Sequence, residues 1–271
     1  MSKTILITGA SSGIGKATAK HFNGKDWNVI ASMRSPEKEQ ELNQLDHVLV
    51  SQLDVTHLDS IAKTIEQGIE KFGKIDVLLN NAGYGAYGPL ESFPRENIIK
   101  QFNTNVIGLL DVTRAILPHL RQNKSGRIIN ISSIGGKMTF PLGSLYHGTK
   151  FAVEGISESL SFELEDLGIQ VKIVEPGMIA TDFSGRSFDF QHKAELTDYQ
   201  PIVDGLMKSM ASSSVSSSPP ELVAEVIYKA ATDDSNQMRY RAGADAEQIL
   251  DARKQLNEDD FIQNIKNQFK L

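Results

Sequence analysis

The chain has 271 residues, of which 40% are hydrophobic and 23% are charged, and this composition suits one large α/β domain or two smaller ones. Its net charge of −6 argues against nucleic acid as a partner, because binding to phosphates needs a basic surface. The absence of cysteine excludes disulfides, thiolate catalysis and cysteine-ligated metals, and it is compatible with a reducing cytosol.

The N-terminal segment and the lengths of the apolar stretches indicate a soluble protein. Residues 1–4 run directly into Ile5, Leu6 and Ile7, a run too short for the apolar core of a signal peptide. No apolar stretch approaches the roughly 18 residues that a membrane-spanning helix needs. We therefore expect a cytoplasmic protein with no membrane contact.

Short apolar runs alternate with longer amphipathic stretches along the chain. The predicted strands are Ile5–Thr8, Val29–Met33, Val48–Leu53, Val77–Asn80, Arg127–Ile131, Val171–Val174 and Met238–Ala242. Helical spacing is found in Asp59–Phe72, Pro94–Leu117, the stretch from Lys150 to Gly168, and Leu222–Ala231. The alternation predicts βαβ units around a parallel sheet.

The composition changes in one region, about residues 182–220, which is polar and irregular and includes Ser212–Pro220. Serine runs before a double proline are typical of linkers. Because a helix and a strand are predicted after it, an insertion within one domain spanning residues 1–271 fits better than a domain boundary. The insertion is either a mobile lid over the site or an inert loop.

A glycine-rich turn, Thr8-Gly9-Ala10-Ser11-Ser12-Gly13-Ile14-Gly15, follows the first strand and opens a helix. This context is typical of a dinucleotide site. Glycine lets the backbone approach a pyrophosphate, and the free N–H groups at the start of the helix attract its charge. Since the spacing is G-x-x-x-G-x-G rather than the commoner G-x-G-x-x-G, a plain strand-to-helix turn is the alternative interpretation.

Polar residues after two other strands also favour a nucleotide. Asp54 could accept a hydrogen bond from an adenine amino group, or it could be a turn or N-cap residue. Asn81, Ala82 and Gly83 end the strand from Val77, at the edge of an open α/β sheet where ligands bind. An asparagine there could also only satisfy backbone groups of the loop.

The end of the second strand indicates which nicotinamide cofactor is used. NAD-preferring enzymes place an acid there to bind the ribose 2′-hydroxyl, but this chain has no acid until Glu37. Arg34 could instead pair with a 2′-phosphate, so NADP is favoured and NAD remains open. Ser12 stands where a second basic residue would strengthen the case, and Arg34 could also be a solvated loop charge.

A proton-transfer motif lies in Tyr146-His147-Gly148-Thr149-Lys150, where the tyrosine and lysine share one helix face. A free tyrosine has a pKa of about 10, and a nearby cation lowers it. Tyr146 could then exchange a proton with a carbonyl or alcohol oxygen. Ser133, or failing that Ser132, could bind the same oxygen.

Asn105 interrupts a strongly patterned helix. A polar residue there suggests a kink, either with a water that links Lys150 to solvent or with the side chain capping local backbone. His147 is expected to be structural or cleft-lining, and no other histidine has metal-ligand spacing, so no metal is inferred.

Taken together, these residues resemble the short-chain dehydrogenase/reductase family. The motifs that carry the resemblance are Thr8-Gly9-x-x-x-Gly13-x-Gly15, Asp54, Asn81-Ala82-Gly83, Asn105, Ser133, Tyr146-x-x-x-Lys150 and Pro176-Gly177. The resemblance implies one Rossmann-type doubly wound α/β domain with a seven-stranded parallel sheet flanked by helices. It also implies a catalytic tetrad of Asn105, Ser133, Tyr146 and Lys150. The cofactor-binding residues it implies, besides Tyr146 and Lys150, are Gly9, Ser11, Ser12, Gly13, Ile14, Gly15, Arg34, Asp54, Val55, Asn81, Ala82, Gly83, Pro176, Gly177, Ile179 and Thr181.

The function expected from this resemblance is hydride transfer between NADP(H) and a ketone, aldehyde or alcohol. Met33-Arg34 and residues 239–246 look like a branch that includes steroid and retinol dehydrogenases and bacterial carbonyl reductases. Apolar residues that could line a hydrophobic substrate pocket are Phe140, Leu142, Phe183 and Phe188, although they could equally pack the lid. The resemblance also implies a homodimer or homotetramer.

Three alternatives remain: an NAD-dependent alcohol dehydrogenase of the same family, a sugar-nucleotide epimerase or dehydratase, and a nicotinamide-sensing binding protein. The second of these usually needs a larger substrate domain than the chain has after Pro176. The third commonly lacks the tyrosine or the lysine, and both are present here.

Overall fold

The structure is a computed structural model and describes residues 2–181, 187–212 and 217–269. Its strands are β1 (Thr4–Thr8), β2 (Asn28–Met33), β3 (Val48–Gln52), β4 (Val77–Asn80), β5 (Gly85–Tyr87), β6 (Gly126–Ile131), β7 (Ile169–Pro176), β8 (Phe188–Phe190) and β9 (Arg239–Ala242). Its helices are α1 (Gly13–Asn23), α2 (Leu58–Phe72), α3 (Arg95–Phe102), α4 (Gly108–Asn123), α5 (Ser144–Leu164), α6 (Gln200–Ser212), α7 (Pro220–Thr232), α8 (Ala244–Gln255) and α9 (Glu258–Phe269).

Seven strands form one parallel sheet in the order β3-β2-β1-β4-β6-β7-β9. The Rossmann-type α/β fold with a seven-stranded parallel sheet is therefore confirmed. The chain winds outward from β1 in one direction and then, from β4, in the other. Because the crossovers diverge between β1 and β4, a crevice opens there at the carboxyl ends of the strands, where ligands bind in such sheets.

Helices cover both faces of the sheet, and the alternation of side chains along each strand explains why. In β1, Ile5 and Ile7 belong to the apolar core under α1 and α7, whereas Leu6 belongs to the core under α2 and α4. Every residue of β1 is buried. A strand covered on both faces needs apolar side chains on both, so it reads as a continuous apolar run.

The structure differs from the sequence prediction in the stretch predicted as one helix from Pro94 to Leu117. Here α3 ends at Phe102, one turn of π-helix covers Asn103–Ile107, and α4 continues to Asn123. A π turn inserts one residue into a helix and is frequent at functional sites. The sequence predicted an interruption of the helix at Asn105, and the structure shows this interruption as a widened turn.

The polar region also contains more regular structure than the sequence indicated. Residues of β8 pair in parallel with β5, and α6 occupies Gln200–Ser212.

No helix in the described part of the chain combines the length and apolar character that crossing a membrane requires.

Candidate active site

The glycine-rich turn lies at the crevice between β1 and β4. Gly9 and Gly13 have φ values of 71° and 53°, in the left-handed region that favours glycine. A Cβ on Gly15 would collide with the carbonyl oxygen of Gly9 and would lie 2.6 Å from Nδ2 of Asn81. Glycine is thus needed at these positions, and the turn leads directly into the start of α1, where helix N–H groups lack intrahelical partners.

Asn81 fastens this turn to β4. Its Nδ2 donates hydrogen bonds to the carbonyl oxygens of Thr8 (2.9 Å) and Gly9 (3.1 Å). Its backbone N–H and that of Ala82 both donate to Oγ1 of Thr8, at 3.0 and 3.1 Å. The predicted residues at the ends of β1 and β4 therefore meet, and the side chain of Asn81 satisfies loop backbone, as one of its two interpretations held.

The exposed side chain of Arg34 follows the buried Met33 at the end of β2. An acid that the sequence interpretation did not weigh, Glu39, is buried nearby but is already engaged. It accepts hydrogen bonds from the backbone N–H groups of Glu41 and Leu42, and its carboxylate lies 3.2 Å from Nζ of Lys16. The first acid after the strand, Glu37, is exposed and lies three residues beyond Arg34, in the short helical turn Pro36–Lys38.

Asp54 and Val55 follow β3. Oδ1 of Asp54 accepts from the backbone N–H (2.9 Å) and the hydroxyl (2.7 Å) of Thr56, which is the turn role considered for it. These bonds outweigh partial burial and lower the pKa of Asp54. Val55 is buried against Gly108, where a Cβ would lie 2.7 Å from its Cγ2. It therefore sets how closely α4 approaches the end of β3.

Tyr146 and Ser133 meet at the carboxyl edge of the sheet, where their side chains share a hydrogen bond. Burial raises the pKa of Tyr146 to about 12, although the bond to Ser133 opposes the shift. Oγ of Ser133 also accepts from the N–H of Gly135 at 3.0 Å. The hydroxyl of Ser132 is buried and has no hydrogen-bond partner among the described residues. Ser133, rather than Ser132, is thus the serine next to the tyrosine.

Lys150 lies one helical turn after Tyr146, with Nζ 5.7 Å from the centre of the tyrosine ring. Nζ donates to the carbonyl oxygen of Ile131 at 2.8 Å. Burial lowers the pKa of Lys150 to about 8, against the attraction of Glu154. The expected lowering of the tyrosine pKa by Lys150 is not seen, because desolvation dominates at both groups.

Asn105, in the π turn, is buried and fully engaged. Its Oδ1 accepts from the N–H of Tyr84 at 3.1 Å, and its Nδ2 donates to the Tyr84 carbonyl oxygen (2.8 Å) and to Oγ1 of Thr149 (3.1 Å). A Cβ on Gly83 would lie 3.1 Å from the same Oδ1. The side chain therefore holds the loop after β4 against α5, as the backbone-capping interpretation held.

His147 is structural. Nδ1 lies 2.9 Å from the carbonyl oxygen of Gly135, while Nε2 accepts from the N–H of Phe140 at 3.3 Å. This pattern assigns the proton to Nδ1 of a neutral ring. Burial lowers the pKa of His147, which keeps it neutral. Its role is to hold the loop between Ser133 and α5.

β7 ends at Pro176, and the turn after it contains Gly177, Ile179 and Thr181. Gly177 donates its N–H to the carbonyl oxygen of Ala242 (3.0 Å), and a Cβ on Gly177 would collide with the Asp245 carboxylate. Ile179 forms a bridge with Ser218. Thr181 reaches back to the glycine-rich turn, because a Cβ on Gly13 would lie 3.3 Å from its Cβ and Cγ2.

Aromatic side chains surround Tyr146 on the side of β5 and β8. The ring of Tyr87 lies 5.3 Å from that of Tyr146 and stacks with those of Phe188 (5.2 Å) and Phe140 (6.2 Å). Leu142 lies in a left-handed turn (φ 64°), with its carbonyl oxygen bonded to the N–H of Gly88. Phe140 and Phe188 are therefore near the site as expected, and Phe183 lies outside the described residues.

Three site residues were missed in the sequence: Thr149, Tyr84 and Tyr87. Thr149 is buried, and its position inside the motif Tyr146-x-x-x-Lys150 is a signal that the sequence shows. Tyr84 acts through its backbone and Tyr87 through packing, so neither leaves a pattern. The described residues contain no group of three or more His, Cys, Asp or Glu side chains placed to bind a metal.

Comparisons with known proteins agree with this geometry. Residues 3–192 match the sequence model of a family described as short chain dehydrogenase. The chain is 46% identical over 239 residues to an uncharacterized oxidoreductase of Schizosaccharomyces pombe, covering 88% of this chain and 100% of that protein. It is 40% identical over 207 residues to a 3-ketodihydrosphingosine reductase of Bacteroides thetaiotaomicron, covering 76% and 74% of the two chains. The solved structure of ElxO with NADP bound is similar with a TM-score of 0.75 and 31% identity, covering 92% of this chain and 100% of that chain.

Proposed function

This chain belongs to the short-chain dehydrogenase family and is an oxidoreductase, and we propose that it interconverts a ketone or aldehyde and its alcohol with NADP(H). The observation that carries the proposal is the hydrogen-bonded pair of Tyr146 and Ser133, with Lys150 on the next turn, at the same carboxyl edge of the sheet as the glycine-rich turn. A relative that is a ketone reductase supports this reaction.

The residues at the crevice fit a dinucleotide. Gly9, Gly13 and Gly15 keep three positions of the turn free of side chains, and Asn81 holds the turn in place. We assign the pyrophosphate to this turn, with Ser11, Ser12 and Ile14 contributing backbone groups. Asp54, Val55, Ala82 and Gly83 would bound the adenosine side. Pro176, Gly177, Ile179 and Thr181, with Lys150, would bound the nicotinamide side.

Arg34 supports NADP over NAD. Its exposed guanidinium suits a 2′-phosphate, and the nearby carboxylate of Glu39 is bound to Lys16 and to backbone N–H groups. A structural relative has NADP bound. An NAD-dependent alcohol dehydrogenase of the same family is the alternative, and comparing the two cofactors decides between them.

In the mechanism, each side chain has one task. NADP(H) held at the crevice would supply the hydride for the reduction, or accept it in the reverse direction. Tyr146 donates its hydroxyl proton to the carbonyl oxygen, and Ser133 donates a hydrogen bond to the same oxygen. Lys150 stabilises the phenolate that remains. Because a phenol is protonated near neutral pH, Tyr146 is able to act as the acid of a reduction, and the reductive direction is tested first.

The test measures the oxidation of NADPH and of NADH, by the loss of their absorbance, with a panel of apolar ketones and aldehydes. We expect Tyr146→Phe to lower kcat/KM by about 10²–10⁴-fold. The matched control is Tyr228→Phe, which removes the hydroxyl of a tyrosine that packs with Phe22 and Trp27 instead. Full turnover by Tyr146→Phe would overturn the proposal.

The proposed function has three further parts. We propose that the chain is one domain in which residues of about 182–220 act as a substrate lid; of these, 182–186 and 213–216 lie outside the described residues. We also propose that the substrate is hydrophobic, as the aromatic side chains near Tyr146 support. We also propose a homodimer or homotetramer, supported by exposed Phe102, Phe151 and Phe162 on α3 and α5. A monomer in light scattering would contradict the oligomer. The cytoplasmic location stays a prediction.

A further inference from the structure

A cluster of charged side chains connects α5 with β7 and β9. Arg239, on β9, places Nε 2.9 Å from Oε2 of Glu154 and 3.7 Å from Oε1 of Glu175. Its Nη2 lies 2.6 Å from Oε2 of Glu158. Lys137 Nζ lies 3.8 Å from Glu154. One guanidinium therefore bridges two turns of α5 and reaches the end of β7.

Two of these carboxylates are buried. Glu154 is 5% exposed and Glu175 is 2% exposed, and one oxygen of each has no hydrogen-bond partner among the described residues. By contrast, the Glu158 side chain is 53% exposed. Burying a carboxylate is costly even when it is paired, and apolar side chains often stabilise such a position equally well. Stability alone therefore does not account for the cluster.

The position of Glu154 in the helix indicates what it does. It follows Lys150 by one turn, so the two side chains share one face of α5. The Lys150 amine is buried, and burial lowers its pKa to about 8. Glu154 acts in the opposite direction and raises it. Glu154 is therefore placed, one turn further along the same helix face, to attract the lysine amine.

We propose that Glu154 is a positioning residue for Lys150: Arg239 holds its carboxylate in place, and that carboxylate attracts the lysine amine and keeps it protonated. Arg239 also ties α5 to the strand that leads into Pro176 and Gly177. The proposal rests on the role given to Lys150 in the proposed function.

The surrounding charges determine how specific the effect is. The charged and titratable groups that face this cluster are Tyr146 beside Lys150; Lys137, Glu158, Glu175 and Arg239 beside Glu154; and Arg241 beside Glu175. Arg241 is paired with Glu247 and Asp251. Burial and the charge of Glu154 raise the pKa of Glu175 to about 7, so its own charge is reduced near neutrality. Among these carboxylates, Glu154 is the one that follows Lys150 by one turn on the same helix face.

The test compares Glu154→Gln with Glu158→Gln, because each removes one carboxylate from the same arginine. The amine of Lys150 is titrated by NMR of isotope-labelled lysine in the cofactor-free protein, with its signal identified by its loss in Lys150→Arg. We expect Glu154→Gln to lower the titration midpoint by about half a pH unit or more, and Glu158→Gln to leave it unchanged. An unchanged midpoint in Glu154→Gln, or an equal shift in both variants, overturns the proposal.

A second measurement follows activity. The alkaline limb of the kcat/KM profile moves to lower pH in Glu154→Gln and not in Glu158→Gln. Since the NMR titration needs neither substrate nor cofactor, it still decides the proposal if no ketone is reduced. Should Glu154→Gln fail to fold, Glu154→Asp replaces it. The aspartate carboxylate is one methylene further from the lysine, so we expect the Lys150 titration midpoint to fall by less than in Glu154→Gln. An unchanged midpoint in Glu154→Asp contradicts the proposal.

Discussion

Asn105 donates a hydrogen bond of 3.1 Å from Nδ2 to Oγ1 of Thr149, the residue that precedes Lys150 on α5. Oγ1 of Thr149 in turn donates to the carbonyl oxygen of Tyr146 at 2.7 Å. Because Asn105 also binds the backbone of Tyr84, one amide connects the loop after β4, the π turn and the helix that carries Tyr146. The asparagine thereby acts on the site through its neighbours.

This connection predicts the effect of Thr149→Val, which keeps the shape of the side chain but removes the hydroxyl. A buried N–H of Asn105 then loses its acceptor, so we expect a loss of about 1–3 kcal/mol in the free energy of unfolding. Urea denaturation measures it. The control is Thr232→Val, at an exposed threonine whose hydroxyl also donates to a carbonyl one turn back, with an expected change within about 0.5 kcal/mol. Equal losses in the two variants would count against the connection.

Arg34→Ala tests the cofactor assignment. Loss of a charge-assisted bond to a 2′-phosphate raises KM for NADPH about tenfold or more, whereas KM for NADH changes little. Lys38→Ala removes a similar exposed charge four residues further along the same loop and is expected to affect both cofactors slightly. Steady-state kinetics with each variant provide the comparison. An equal rise in KM for both cofactors in Arg34→Ala would mean that the arginine does not bind the 2′-phosphate.

Two glycine substitutions are expected to act in opposite directions. In Gly15→Ala the new methyl meets the Gly9 carbonyl oxygen and Asn81 Nδ2, so the turn must move, NADPH binding weakens at least about tenfold and the melting temperature falls. In Gly155→Ala the methyl meets nothing within 4 Å in the middle of α5. That substitution stabilises the helix by about 0.5–1 kcal/mol. Thermal unfolding with and without NADPH measures both, and tight NADPH binding by Gly15→Ala would refute the packing argument.

Glu175 makes stability depend on pH. Its pKa is raised to about 7 from 4.5, so the folded chain binds this proton more tightly than the unfolded chain. The resulting stabilisation is present below the unfolded value and is lost as the pH rises through about 7. Glu175→Gln removes this dependence, so its melting temperature rises relative to the parent between about pH 5 and about pH 8.

Glu158→Gln is the control for this pH effect. Arg239 lowers the pKa of Glu158, so that carboxylate stays charged over the whole interval and its substitution gives a difference that does not vary with pH. A melting-temperature difference for Glu175→Gln that is constant from about pH 5 to about pH 8 would show that Glu175 does not titrate there.

The sequence by itself determined the fold class and the central motifs, because both rest on local patterns. The apolar runs of β1 and β4 predicted a parallel sheet, since strands covered on both faces need apolar side chains throughout. The glycine-rich turn and Tyr146-x-x-x-Lys150 each lie within eight residues or fewer, so their spacing is visible in one dimension. The carboxyl edge of the sheet then brings them together.

Only the tertiary structure decided which polar atoms meet and how deeply they are buried. Asn105 and Thr149 are 44 residues apart in the chain, and Glu154 and Arg239 are 85 apart, so no local spacing predicts either contact. The direction of the Tyr146 pKa shift was also beyond the sequence. A nearby lysine suggests a lower pKa, but desolvation depends on how completely other elements cover the phenol, and that covering exists only once the chain has folded.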